Sequence, residues 1–217
     1  MMVPFMAFGL FALAIVAVVG LAIWAGRVQK QRTTDNLQKL ATQLGLEFVA
    51  ATGWTGQPRV TGALRGKKTD FFTFVTSTGK SSTTWAAVTV QAATAGALTF
   101  ALEKRGFVTK IEKLFGAHEA VVDDADFSKA WFVQTNQPDF MSVALIPELR
   151  VKLMAARQAG SNGKFELKGG QVKYVEMGSF SEVKRSERFA ALADVMCDLA
   201  DVAEVAAEGQ GKAEPNG

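Results

Sequence analysis

Hydrophobic residues form an unbroken run at the start of the chain. Residues 3–25 are almost all Val, Ala, Leu, Ile, Phe, Met and Gly, and the first charged side chain is Arg27. A helix over these residues would reach roughly 34 Å, against a bilayer core of about 30 Å. The pattern therefore predicts a transmembrane anchor over residues 1–26. A cleaved signal peptide is the alternative, but it would carry basic residues ahead of a shorter apolar run.

The residues at the end of this run predict its orientation. Tryptophan favours the headgroup level of a membrane, and Trp24 closes the apolar run. Three cations follow at once, Arg27, Lys30 and Arg32. Because cations beside a membrane segment favour the cytoplasm, the N-terminus is expected outside and the rest of the chain inside. These four residues are the predicted membrane-interface contacts, and residues 3–25 are the predicted contact with the lipid bilayer.

A second helical pattern follows within residues 27–45. Thr34 and Asp35 offer side-chain oxygens that can cap a helix, apolar residues then recur at helical spacing up to Leu44, and Gly45 is a typical C-terminal stop. The pattern predicts a short amphipathic juxtamembrane helix, which we expect to lie on the folded domain rather than on the bilayer surface.

From residue 46 the pattern changes to alternation with period two, which is typical of strands. Turn residues separate the successive runs, and no helical crossover lies between them. Neighbouring strands are therefore expected to form antiparallel hairpins. The first four predicted strands cover residues 60–64, 71–76, 84–91 and 98–103.

The second half of the chain mixes helices and strands. Ser179 and Glu182 have the spacing of a capping box, which predicts a long final amphipathic helix up to Glu208 and a disordered tail over residues 209–217. The fold class is therefore α+β, with an antiparallel-sheet domain over residues 46–208 flanked by helices. The other predicted elements are a helix at 110–114, a strand at 127–135, a helix at 139–157 broken by Pro147, and a hairpin of 165–168 with 172–177.

The predicted final helix has two different faces. Its apolar stripe needs a partner, either the sheet of the same chain or a second chain in a coiled coil. Acidic residues cover the opposite face, which is typical of a solvated surface, and a basic partner is the alternative. The stripe contains Phe189, Leu192, Met196 and Leu199, and the acids are Asp194, Asp198, Asp201, Glu204 and Glu208.

Composition narrows the classes of function. The 24 Lys and Arg residues nearly balance the 21 Asp and Glu residues, and the net charge of +3 is too small to predict nucleic-acid binding. Cys197 is the only cysteine, so no disulfide forms within the chain. The single histidine, His118, excludes metal sites that need two imidazoles. We therefore expect no metal and no cofactor.

No motif predicts a catalytic residue. The sequence TSTGKSS at 76–82 ends like a phosphate-binding loop, but it lies between two predicted strands and lacks the first glycine, so a hairpin turn is expected. The acid-rich sequence at 118–127 lacks the glycine and the terminal glutamate of a calcium loop. Cys197 has no activating neighbour in the sequence. Hydrolysis by two carboxylates stays open, because pairs formed in space are invisible in a sequence.

The densest basic cluster of the predicted domain surrounds a glycine turn and contains Arg65, Lys67 and Lys68. A solvated turn explains such a cluster. The alternative is a contact with anionic lipid headgroups or with a partner, since each cation near a membrane surface contributes about 1 kcal/mol.

Several apolar positions in the second half of the chain follow a recurring pattern. Phe127, Trp131 and Val133 fit the spacing F-x-x-x-F-x-V, with Trp131 in place of the second Phe. In these positions the chain resembles the bacterial family DUF3137, whose members are membrane-associated and have no assigned activity. The resemblance implies a bacterial membrane setting and no catalytic residues. The other matching positions are Pro147, Leu149, Phe165, Val172, Tyr174 and the closing GSFSE.

These observations together predict a single-pass protein of the bacterial inner membrane whose cytoplasmic domain works without catalysis. We expect an accessory or scaffold role, with another membrane protein or a second copy of this chain as the partner. A membrane-tethered hydrolase with paired carboxylates is one alternative. A lipid- or ligand-sensing domain is the other, and it would require a concave apolar pocket.

Overall fold

The computed structural model describes residues 3–53, 56–94, 96–105 and 118–211, with side chains from Val16 to Gly209. Five helices and nine strands lie within these ranges. In chain order they are α1 (Val3–Leu44), β1 (Glu47–Val49), β2 (Arg59–Leu64), β3 (Lys67–Ser77), β4 (Ser82–Gln91), β5 (Phe100–Lys104), β6 (His118–Glu119), α2 (Ala125–Ala130), β7 (Trp131–Thr135), α3 (Pro138–Ala144), α4 (Pro147–Gln158), β8 (Lys164–Lys168), β9 (Gln171–Met177) and α5 (Val183–Gly211).

The sheet confirms the prediction of an antiparallel α+β fold. Its described strands lie in the order β1-β2-β3-β4-β9-β8-β5-β7-β6, and every neighbouring pair is antiparallel. The β2–β3 turn holds Arg65 and Gly66 at φ of 52° and 78°, and the β8–β9 turn holds Gly169 and Gly170 at 57° and 72°. Two successive residues at positive φ match the right-handed twist of the flanking strands, so these turns close tight hairpins.

One face of the sheet forms the core together with the helices. α1 and α5 pack on this face at β2, β4 and β9, while α2 and α3 pack at β7. A single buried row of register partners crosses seven strands, so the core is one continuous layer. The row consists of Val60, Phe71, Val88, Tyr174, Phe165, Leu102 and Val133.

α1 is one continuous helix where the sequence predicted two. Thr34 does not begin a new helix, because its Oγ1 donates a hydrogen bond to the backbone oxygen of Lys30, one turn earlier (3.2 Å). The last part of α1 packs on the sheet domain through the buried side chains of Leu37 and Leu40. This segment therefore lies on the folded domain, but it does not start as a separate element.

The predicted transmembrane anchor over residues 1–26 is wrong. In the parts of the chain that the structure describes, no helix is at once apolar enough and long enough to cross a bilayer. This finding does not test the predicted location at the inner membrane, which stays a prediction.

The segment before β7 is helical, where a strand was predicted from residue 127. Asp124 caps α2, because its carboxylate accepts a hydrogen bond from the backbone N–H of Phe127 (2.9 Å). The strand begins only at Trp131. The predicted break at Pro147 is confirmed, since this residue begins α4.

The two ends of α5 also differ from the prediction. The helix begins at Val183, and the hydroxyl of Ser179 contacts that of Ser181 (2.9 Å) instead of closing the predicted capping box. At its other end α5 includes the first residues of the tail predicted over 209–217. The rest of that tail, like the helix predicted at 110–114, lies outside the described residues.

Candidate functional site

The acidic face of α5 meets basic residues from two other elements. Four carboxylates follow one another along one side of the helix at spacings of four, three and three residues, so they form a continuous line. Three cations face this line, two from the β2–β3 hairpin and one from α4. We call these seven residues the ion-pair ladder: Asp194, Asp198, Asp201, Glu204, Arg65, Lys67 and Lys152.

Arg65 forms the centre of the ladder. Its guanidinium nitrogens lie 2.9 Å from Asp194 Oδ1, 2.6 Å from Asp198 Oδ1 and 2.8 Å from Asp201 Oδ2. Hydrogen bonding to Asp198 is the main cause that raises the pKa of Arg65 above its ordinary value. One side chain of the β2–β3 turn thus spans two turns of α5.

Lys67 extends the ladder toward the C-terminus of α5. Its Nζ lies 2.9 Å from Asp201 Oδ1 and also contacts Glu204. The backbone N–H of Ala93 donates a hydrogen bond to Glu204 (2.7 Å), and this bond, followed by that from Lys67, lowers the pKa of the Glu204 carboxyl. The side chain of Lys67 is only 9% exposed, whereas its partner Asp201 is 45% exposed, so the lysine is shielded from water and the carboxylate is not.

Lys152 ties α4 to the same face of α5. Its Nζ lies 2.6 Å from Asp194 Oδ2 and 2.7 Å from Asp198 Oδ2. The hydrogen bond from Lys152 is the largest cause of the lowered pKa of Asp194, and the bond from Arg65 acts in the same direction. Three elements that are distant in sequence are therefore joined through carboxylates of one helix.

The ladder does not have the arrangement of a two-carboxylate active site. Both oxygens of Asp198 and both oxygens of Asp201 are engaged by cations of the ladder. A general acid needs a carboxyl whose pKa is raised, whereas the cations lower the pKa of Asp194. The geometry favours a structural role in holding α4 and the β2–β3 hairpin against α5.

Beside the ladder lies a groove of about 530 Å³, bounded by α3, α4 and the C-terminal half of α5. α3 and α4 are separate helices because Ile146 has an extended backbone, with ψ of 158°, and Pro147 at the start of α4 has no N–H to bond to the preceding turn. Asp198 and Asp201 of the ladder lie at the edge of the groove. We call it the apolar groove after its main lining residues, Phe140, Val143, Ile146, Leu149, Val202 and Val205.

The apolar groove keeps large hydrophobic side chains in water. Val143 is 77% exposed, Ile146 is 51% exposed and Val205 is 60% exposed. Below them, Leu149 is buried and Val202 packs against the core. Exposed apolar residues that cluster around a concave surface are typical of a binding site, whereas single ones are normal on any surface.

The structure buries the apolar stripe of α5 within the domain. Phe189, Met196 and Leu199 are 0% exposed, and Leu192 is 1% exposed. The ring of Phe189 lies edge-on to that of Tyr174 in the core row of the sheet, with centroids 5.3 Å apart. The stripe therefore packs within its own chain, which is the first of the two alternatives that the sequence left open.

The basic cluster and the acidic face, which the sequence treated separately, come together in the ladder. Arg65 and Lys67 both form ion pairs with carboxylates of α5. Lys68 is exposed and makes no ion pair within the described chain. The basic partner considered for the acidic face of α5 therefore comes from the same molecule.

The predicted membrane-interface residues lie on α1, and none of them belongs to the ladder or lines the apolar groove. Trp24 is 63% exposed. Arg27, Lys30 and Arg32 are exposed along the same helix. Their role at a membrane stays a prediction.

Two further groups that the sequence singled out lie in the described part of the chain. Cys197 is buried with its Sγ 3.6 Å from the backbone oxygen of Leu64, and burial raises the pKa of this thiol to about 11. The sequence at 76–82 is the β3–β4 turn, in which the N–H of Thr78 donates to the oxygen of Ser81 (3.0 Å). Within the described residues, no group of three His, Cys, Asp or Glu side chains is placed to hold a metal ion.

Sequence reasoning missed the apolar groove. Val143 and Val205 lie on the exposed sides of two helices that are distant in sequence, and hydrophobic periodicity within one helix does not show that both residues line one groove. The available signal was the position of Val205, which follows the acids of α5 on the face assigned to solvent.

Comparison with known proteins shows a similarity at the level of the fold. No family model matches the chain, so the resemblance to DUF3137 stays a prediction. No curated protein matches it either. Among solved structures, the crystal structure of the mycobacterial trehalose monomycolate transport factor A, TtfA, is similar with a TM-score of 0.53 and 10% sequence identity, covering 78% of this chain and 93% of that chain. The chain thus shares its fold with a mycobacterial transport factor.

Proposed function

We propose that this protein is a non-enzymatic accessory or scaffold protein whose α+β domain binds another membrane protein or complex. The observation that carries the proposal is the apolar groove, where Val143, Ile146 and Val205 stay more than half exposed around a concave surface. A partner that covers these side chains gains roughly 25 cal/mol for each Å² of apolar surface removed from water.

The shared fold supports an accessory role in transport. This support is an analogy, because function depends on sites rather than on folds and the two sequences are 10% identical.

A lipid- or ligand-sensing domain is the second candidate. The apolar groove supports it, since about 530 Å³ lies within the range of roughly 300–1,000 Å³ typical of ligand sites. The hydrolase alternative gains no such support, because the carboxylates at the edge of the groove are engaged by cations.

We further propose that the protein works at the cytoplasmic face of the bacterial inner membrane. Arg27, Lys30 and Arg32 support this location, because they are exposed on α1 beside the exposed ring of Trp24. Each cation near an anionic surface contributes about 1 kcal/mol of binding. Flotation of the full chain with anionic vesicles tests it: binding should fall when the three cations are replaced by Gln, and equal binding to neutral vesicles would contradict it.

Crosslinking in intact cells, followed by purification of the tagged full chain in mild detergent, tests the accessory role. We expect one partner to recur in stable amounts, and the purified partner should bind the purified chain in the reverse experiment. A chain that is recovered alone, without a partner and without self-association, would contradict the proposal.

A further inference from the structure

We propose that the apolar groove receives an amphipathic helix of the partner protein, with its apolar side against the groove and a basic polar side. This inference rests on the proposed accessory function and adds the chemical character of the partner.

The shape of the groove favours a helix over an extended segment. Helices bound it on both sides, and its floor is apolar, with Leu149 from α4 and Val202 from α5. A helix docked in such a groove presents apolar residues at positions i, i+4 and i+7, which follow one line along its surface. An extended segment would leave its backbone N–H and C=O groups unpaired here, because no strand edge borders the groove among the described residues.

The exposure of the rims favours a helix over a lipid chain. Val143 and Ile146 on one rim and Val205 on the other are 77%, 51% and 60% exposed. A single acyl chain covers a narrower strip of this surface than a helix, which is about 10 Å wide across its side chains. Helix docking therefore removes more apolar surface from water.

The charge at the edge of the groove favours a basic partner. The ladder contains four carboxylates and three cations, so it carries one excess negative charge. Glu148 lines the groove, and Glu208 follows Val205 on α5 by one turn; both are exposed and make no ion pair within the described chain. Lys or Arg side chains on the docked helix would meet these carboxylates, while an acidic helix or an anionic headgroup would be repelled.

Selection from a displayed library of helical peptides of about 18 residues, close to five turns, tests this inference on the full-length protein. We expect the enriched peptides to combine apolar residues at i, i+4 and i+7 with a net positive charge. Substituting Val205→Asp or Glu148→Lys should weaken their binding about tenfold or more. The matched control is Val151→Asp, because Val151 is 68% exposed on α4 but does not line the groove, and it should leave binding unchanged.

Four results would overturn the inference. Enriched peptides without a net positive charge would show that the partner helix is not basic. Equal losses of peptide binding with Val205→Asp and Val151→Asp would show that the peptides do not bind in the groove. A fluorescent long-chain fatty acid that binds the wild-type chain and is lost with Val205→Asp, with no peptide enriched, would assign the groove to lipid. If a partner co-purifies equally with wild type and Val205→Asp, the accessory function stands and only this inference fails; if no partner is recovered, the function itself fails.

Discussion

The guanidinium of Arg65 lies 2.6 Å from the carboxylate of Asp198, although 133 residues separate the two in sequence. This contact joins the β2–β3 turn to the middle of α5, and the same guanidinium reaches one acid on either side of Asp198. The terminal helix is thus held on one face by the apolar core and on the other by a line of ion pairs.

Replacing Arg65 should destabilise the fold moderately. Arg65→Asn removes the guanidinium but keeps a residue that tolerates the positive φ of 52°, so the turn itself is preserved. Since the side chain is 42% exposed, solvent screening limits the expected loss to about 1–2 kcal/mol of unfolding free energy, measured by urea titration. Lys68→Gln is the control and should change stability by less than about 0.5 kcal/mol. Equal effects of the two variants would show that the ladder contributes nothing.

Acidification should weaken the domain through the ladder. Folding lowers the pKa of Asp194 and Glu204 from ordinary values of 3.8 and 4.5, so their ionised forms stabilise the fold above those values. This stability is lost as the pH falls below about 4.5 and through the folded-state values, because the unfolded chain binds protons first. Urea titrations at a series of pH values should show the decline, and Asp194→Asn should reduce its slope. An unchanged slope in that variant would contradict the assignment.

Tyr174 should resist ionisation while the protein stays folded. Its hydroxyl donates to Glu176 Oε2 (2.9 Å) and accepts from the N–H of Gly163 (3.0 Å), and burial followed by the charge of Glu176 raises its pKa. Because Tyr174 is the only tyrosine, tyrosinate absorbance reports this residue alone. In urea it should titrate near pH 10, and in the folded chain only at higher pH or with unfolding. A midpoint near 10 without unfolding would show that the hydroxyl is accessible.

Cys197 should be unreactive in the folded chain. Burial raises its pKa to about 11, and the thiolate that attacks a disulfide reagent is therefore scarce as well as inaccessible. A thiol assay at pH 8 should show almost no reaction until urea unfolds the domain. Val205→Cys combined with Cys197→Ala places the thiol on the exposed rim of the groove and should react at once. Rapid reaction of the wild-type chain would contradict the buried position.

Local patterns predicted the hairpins because their causes lie within a few residues. Gly169 and Gly170 permit the positive φ of a tight turn, and alternation fixes which side chains of β8 and β9 face the core. Alternation failed before Trp131, where the carboxylate of Asp124 caps a helical turn and outweighs the apolar spacing of residues 127–133.

The sequence did not predict which distant segments contact each other. The spacing of Asp194, Asp198 and Asp201 shows that they share a helix face, but it contains no information on which cations that face meets. The apolar groove depends on how α3, α4 and α5 pack, and only that packing shows that Val205 lines a groove. The composition of α1 suggested a membrane span, and the described part of the helix does not meet that requirement.

The strand order carries a consequence for synthesis on the ribosome. β4 pairs with β3 and β9, and β5 pairs with β7 and β8. Among the described strands, none of the first four therefore pairs directly with β5, β6 or β7. Until the β8–β9 hairpin leaves the exit tunnel, the nascent chain holds two unfinished half-sheets, each with an unpaired inner edge. The β8–β9 hairpin, which is made last, joins the two half-sheets. A chain that terminates before residue 164 lacks both strands that connect β4 to β5.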